Sequence, residues 1–160
     1  MIIEPPEHRI DADALKAWRL TGSISAAVYA IVVIGLIWLT VRFDWPVWIA
    51  AAAAVLAVAG SYLEAYLLPS LRWRRFRYAI REQEIDLLYG LLIRKRVLIP
   101  MVKVQHVDTK QGPILRRYGL ATVTFSTAAG SHFIPALRES TAEAVRSQIA
   151  QLARITDDEL

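Results

Sequence analysis

The chain has 160 residues, 55% of them apolar, a mean hydropathy of +0.34, no cysteine and a formal net charge of +4. Such apolar content with ordinary glycine and proline, seven of each, excludes a disordered or fibrous chain. The lack of cysteine excludes a disulfide scaffold and any cysteine-ligated metal or iron–sulfur site.

The length fits one ordinary domain, or a small domain carried on a membrane anchor. With 19 Lys or Arg and 15 Asp or Glu in so apolar a chain, the apolar residues must be segregated. Residues 1–19 read as a cytoplasmic N-terminal segment. It starts acidic and proline-bearing, and its first apolar run begins too late for a cleaved signal peptide. From Leu20 to Val41 no residue is charged. A second uncharged run goes from Trp45 to Leu63, passes Glu64, and continues through Leu68 to Pro69. Each run has roughly the 20 residues that a helix needs to cross a hydrocarbon core. The remainder of the chain is too small to cover two such helices on all sides, so residues 20–69 are expected to form a transmembrane helical hairpin with spans at about 21–41 and 46–68.

The connector is Arg42-Phe43-Asp44, then Trp45 and Pro46, the proline placed to open the second helix. So short a link makes the helices antiparallel neighbours. Small residues at four-residue spacing (Ser23/Ala27, Ala26/Ala30, the Ala50–Ala54 block) would let them approach closely. Arg9, Lys16 and Arg19 precede the first span, and Arg72, Arg74, Arg75 and Arg77 follow the second. By the positive-inside rule both termini are expected in the cytoplasm, with Trp38, Phe43, Trp45 and Trp48 at the outer interface.

Residues 70–155 contain 15 Lys or Arg against six Asp or Glu. The acids gathered near the two ends, including a 156–160 acidic tail, mask this surplus. A basic domain held at the cytoplasmic leaflet faces anionic headgroups, an attraction of about 1 kcal/mol per basic residue near the surface. Nucleic acid is not an expected partner, because no recognition helix, aromatic platform or zinc module is present.

After Arg72 the patterns alternate as strands do. Tyr78 and Ile80 alternate with arginines. Ile85–Ile93 is apolar around Gly90, Arg96–Ile99 runs to Pro100, and Val102, Val104 and His106 alternate with polar residues. Ala121, Val123, Phe125 and Thr127 form the cleanest half-buried strand. A turn at Ala128-Ala129-Gly130 follows, and a return strand is expected at His132–Ile134, ending before Pro135. Ser140 and Glu143 have capping-box spacing, and Ala142, Val145, Ile149 and Leu152 mark one face of a final helix. A membrane hairpin plus an α+β or all-β domain follows from this order.

The stretch Ile99-Pro100, Val104-Gln105-His106-Val107-Asp108, Gln111-Gly112-Pro113-Ile114-Leu115-Arg116-Arg117-Tyr118-Gly119-Leu120-Ala121 and Thr127-Ala128 resembles the YdbS-like bacterial pleckstrin-homology (bPH2) membrane family. The resemblance covers residues from about 20 to 153, departing at Ala129, where glycine is the family's residue. It implies a two-helix transmembrane hairpin followed by a PH-like domain over 70–155, a bent antiparallel sheet or barrel capped by a C-terminal helix. It does not imply phosphoinositide binding. Lipid-binding eukaryotic PH domains use basic residues between their first two strands, and the corresponding Arg81-Glu82-Gln83-Glu84 is acidic on balance.

No catalytic or metal motif is present: no nucleophile elbow, P-loop, dinucleotide fingerprint or paired helix histidines, and His106 and His132 are widely spaced. Neither an enzyme nor a cofactor is expected. The expected role is a non-enzymatic inner-membrane protein whose basic cytoplasmic domain is an interaction or assembly module. Its partner would be a larger multi-PH-like membrane protein, or another copy of itself. The alternative is direct recognition of anionic lipid by Arg72, Arg74, Arg75 and Arg77 with Arg116 and Arg117. Glu64, an acid inside a span, suggests a further alternative, the small subunit of a transport assembly. About one turn from the helix end, it can also snorkel or pair with Arg72.

Overall fold

The computed structural model describes residues 5–158, with side chains through Ile155; Met1–Glu4, Glu159 and Leu160 lie outside the described residues. The chain divides into two compact units. One is Leu15–Ser70, and the other joins the N-terminal residues through Ala14 with those from Leu71 onward.

Helix α1 runs over Ala14–Phe43 and α2 over Val47–Tyr62. A π-helical turn, Leu63–Leu67, then leads into α3, Leu68–Arg75. Both apolar stretches are helices long enough to cross a membrane. Ile31, Val32, Val41, Val55, Leu56 and Val58 are exposed along them, so these helices hold apolar surface that the chain itself does not bury. At the connector, Asp44 takes a left-handed backbone (φ 52°) and the Trp45 amide donates to the Thr40 carbonyl at 3.2 Å. This is a Schellman closure, and aspartate tolerates the left-handed region better than most residues. Pro46 sits one position earlier than expected: it caps α2 with extended backbone, and Val47 opens the helix. Pro69 explains the π-turn. It lacks an N–H and its ring crowds the carbonyl four residues back, and the turn before it is widened, Leu68 N–H bonding to the Leu63 carbonyl.

The second unit contains two antiparallel sheets. Strands β1 (His8–Arg9), β2 (Arg77–Ile80), β3 (Glu84–Tyr89) and β4 (Lys95–Pro100) form the first in that order. Strands β5 (His106–Lys110), β6 (Leu120–Thr127) and β7 (Gly130–Arg138) form the second. A short helix α4 (Pro113–Arg117) links β5 to β6, and α5 (Glu139–Asp158) closes the chain, packed on the second sheet. Ile85, Leu87, Met101, Val123, Phe125, Ile134 and Ile149 are the buried heart of this unit. The architecture is the expected bent-sheet domain with a C-terminal helix, without a closed barrel among the described residues.

β1 is the element that local patterns do not reveal. Residues 1–19 were expected to stand apart, yet His8 pairs with Tyr78 and Arg9 with Arg77 across the sheet. Asp11 secures the same segment. Its amide donates to the Ala136 carbonyl, its carbonyl accepts from the Trp73 indole at 3.2 Å, and its carboxylate accepts from Arg138 at 3.2 Å.

Four local expectations are corrected. Residues 101–103 form a 3-10 turn, so β5 begins only at His106. Gln111-Gly112-Pro113 has the residues of a turn, but Pro113 opens α4, in keeping with the preference of proline for a first helical position. β7 runs through Pro135 to Arg138, because Pro135 and Ala136 (φ 50°) form a bulge opposite Thr122, where proline's missing N–H breaks no ladder bond. Helix α5 starts at Glu139, one residue before Ser140, and Glu143 bonds Arg146 instead of closing a capping box. Its buried face is as expected, with Ala142, Val145 and Ile149 inside.

Candidate functional site

Two groups of arginines were singled out from the sequence, and they sit on different parts of the sheet unit. Arg72, Arg74 and Arg75 end α3, where cations complement the carbonyl end of the helix, and Arg77 opens β2. Arg72 and Arg74 are exposed. Arg75 is half-buried and donates to the Leu91 carbonyl, so it is a fastener of the β3–β4 turn. Arg116 and Arg117 are exposed on α4, which packs beside β6 in the other sheet.

The ladder adds residues that sequence reading did not reach. Arg9, Arg77, Leu88 and Arg96 are directly opposed in one row across β1–β4, so their side chains share one face of the sheet. Asp86, in the neighbouring row, is fully buried and is the only buried charged residue among those described. Arg96 covers it through Nε at 3.0 Å and Nη2 at 2.5 Å from its two carboxylate oxygens. The hydrogen bond to Asp86 and the adjacent negative charge raise the Arg96 pKa against desolvation. A single aspartate inside the apolar run Ile85–Leu88 was the available signal, since such a group must find a partner. The Arg9–Arg77 pairing had no signal, because the two lie on either side of the helical hairpin.

Glu64 lies in the π-turn and accepts a hydrogen bond from the Tyr29 hydroxyl of α1 at 2.7 Å. Beside it, Ala26, Ala30, Ala54, Ala57, Tyr29 and Ser61 line an apolar groove of about 390 Å³ between the two helices. His106 pairs with Asp108 at 2.8 Å on the surface, whereas His132 stacks on Phe125. No three described His, Asp or Glu side chains stand together as a metal site.

The second sheet offers a different surface. β5 is a terminal strand, with His106, Asp108, Thr109 and Lys110 exposed. On the outward face, Asp108, Thr124 and the exposed Phe133 form one row, and His106, Ser126 and Ser131 form the next. An exposed terminal strand such as β5 can accept another strand edge to edge, and Phe133, on β7 at the other edge, adds an apolar ring to the outward face.

Comparison with known proteins places these features in context. The chain matches the family described as Bacterial PH domain over residues 19–153. It is 44% identical over 157 residues to the UPF0699 transmembrane protein YdbS of Bacillus subtilis (strain 168), covering 98% of this chain and 99% of that protein. No solved structure matches.

Proposed function

The chain belongs to the bacterial PH domain family and carries two transmembrane helices, and from that premise we propose a non-enzymatic role in the cell membrane. It presents a cytoplasmic PH-like domain, residues 70–155, as an assembly module for a second membrane protein carrying similar domains. The observation that carries this reading is the exposed outer edge of β5, on a sheet whose outward face also exposes Phe133 of β7. An edge of this kind gains main-chain hydrogen bonds only by adding a strand from a partner.

The topology reading, both termini cytoplasmic, draws support from β1. Residues on either side of the helical hairpin, Arg9 and Arg77, pair in one sheet, so both flanks of the hairpin lie on one side of the bilayer. The arginines flanking the hairpin favour the cytoplasm as that side. Two spans then hold the module at the leaflet, where its effective concentration for a membrane partner is high.

The test is purification of the full chain from its native membrane in mild detergent, followed by native mass spectrometry. A stoichiometric second membrane protein is expected, and Phe133→Glu is expected to release it without unfolding the domain. Recovery of the chain with bound acidic lipid alone would sink the assembly reading. It would favour the second reading, anionic lipid held by exposed Arg72, Arg74, Arg116 and Arg117. Charge reversal at those four positions would then abolish the co-purifying lipid. Recovery of a homo-oligomer would replace the partner by a second copy.

A further inference from the structure

The turn between β3 and β4 is built against the ordinary rule for soluble surfaces. Leu92 is 96% exposed and Ile93 83% exposed, more than any large hydrophobic side chain of the two apolar helices, where Val41 leads at 78%. Two adjacent large aliphatics at the tip of a hairpin turn are a liability in water unless something takes them up. The next three residues are Arg94, Lys95 and Arg96, with Arg94 and Lys95 exposed. An apolar tip with a basic collar is the pattern of a segment that enters the headgroup region of an anionic bilayer.

The backbone holds this tip in place. Gly90 has φ 124°, and a Cβ there would lie 1.9 Å from the Ile93 carbonyl oxygen, so only glycine permits the turn. Arg75 donates to the Leu91 carbonyl, and Phe76 stacks on Tyr89 with ring centroids 6.1 Å apart. The turn is thus fastened to the end of α3.

We propose that the Leu91–Ile93 turn is a membrane-contact site, with Leu92 and Ile93 inserted among the lipids of the leaflet and Arg94 and Lys95 on anionic headgroups. The site fixes the sheet unit to the bilayer independently of any protein partner. It differs from the arginines of α3 and α4 in being apolar at its tip, so its occupant is the lipid itself.

The absence of native cysteine makes the test direct. Leu92→Cys, Ile93→Cys and, as a control on the β6–β7 turn, Ala128→Cys are each labelled with an environment-sensitive nitrobenzoxadiazole dye. The full chain is reconstituted in vesicles of phosphatidylcholine with phosphatidylglycerol. Dye at 92 and 93 is expected to shift to the blue and to be quenched at least threefold more by shallow spin-labelled lipid than dye at 128. Removing the phosphatidylglycerol, or introducing Arg94→Glu with Lys95→Glu, is expected to cut that quenching at least twofold. Equal access of aqueous iodide to positions 92 and 128 would overturn the proposal. So would a blue-shifted dye that spin-labelled lipid does not quench, since a protein would then be covering the turn.

Discussion

Arg96 closes over the fully buried carboxylate of Asp86, two guanidinium nitrogens meeting its two oxygens at 3.0 and 2.5 Å. The pair joins β3 to β4 and sets their relative position on the face opposite Leu87 and Val97. Removing one partner from such a pair costs much more than removing both, because a buried charge is left uncompensated. Arg96→Ala is therefore expected to lower the Tm of the detergent-solubilised protein by roughly 10 °C. The double variant Asp86→Leu with Arg96→Met is expected to recover most of that loss. A double variant no more stable than the single would refute the burial argument.

Within the helical hairpin, a Cβ on Gly22 would lie 2.6 Å from Ala65 Cα and 2.9 Å from the Glu64 carbonyl oxygen. Those atoms are backbone, which cannot swing aside, so the helices must separate. Gly22→Val is expected to weaken disulfide cross-linking between cysteines introduced at Ala26 and Ala57 at least fivefold. Gly35→Ala meets nothing within 4 Å and is expected to leave the cross-linking unchanged.

Asp11 ties the N-terminal segment into the sheet unit through its amide, carbonyl and carboxylate, the last also accepting from the Asp13 amide at 2.9 Å. Asp11→Ala removes the acceptor that serves that turn, a loss of about 1 kcal/mol. Proteolysis of the purified protein is expected to cut between residues 5 and 13 several-fold faster in this variant, with the β2–β4 region still protected. Unchanged cutting would mean that β1 pairing alone secures the segment.

Burial raises the pKa of the Tyr78 phenol above its ordinary value of 10.0. With a folded-state pKa above the unfolded one, the stability from the neutral phenol is complete below about pH 10. It is lost as pH climbs through the folded-state pKa, because the unfolded chain gives up the proton first. Tyr78→Phe is expected to flatten the fall of Tm with pH above pH 10 and to leave Tm at pH 7 nearly unchanged. An equally steep alkaline fall in the variant would assign it to other groups.

Local pattern was enough wherever one segment decides its own environment. The two apolar runs without charge become helices, and the alternation around Val123 becomes β6. The 3–4 spacing of Ala142, Val145 and Ile149 becomes the inner face of α5. The block from Gln111 to Ala121 was also enough to point to the family, and within it Gly119 takes the left-handed backbone (φ 63°) that favours glycine. Pattern failed where the deciding neighbour is remote in the chain. Pro135 reads as a strand end until Thr122 is seen opposite the bulge, and Ser140 reads as a cap until β7 is seen to run directly into the helix.

Composition and periodicity thus determined what each segment buries: lipid-facing helices, a basic sheet domain and an amphipathic final helix. Only the tertiary structure decided which segments meet. It pairs Arg9 with Arg77 across the whole hairpin, gives Asp86 its guanidinium, sets Tyr29 on Glu64, and leaves Leu92 and Ile93 uncovered at a turn. The physical reason is that hydrophobic periodicity records whether a side chain is buried. The identity of its partner depends on backbone pairing between residues whose separation along the chain carries no local signal.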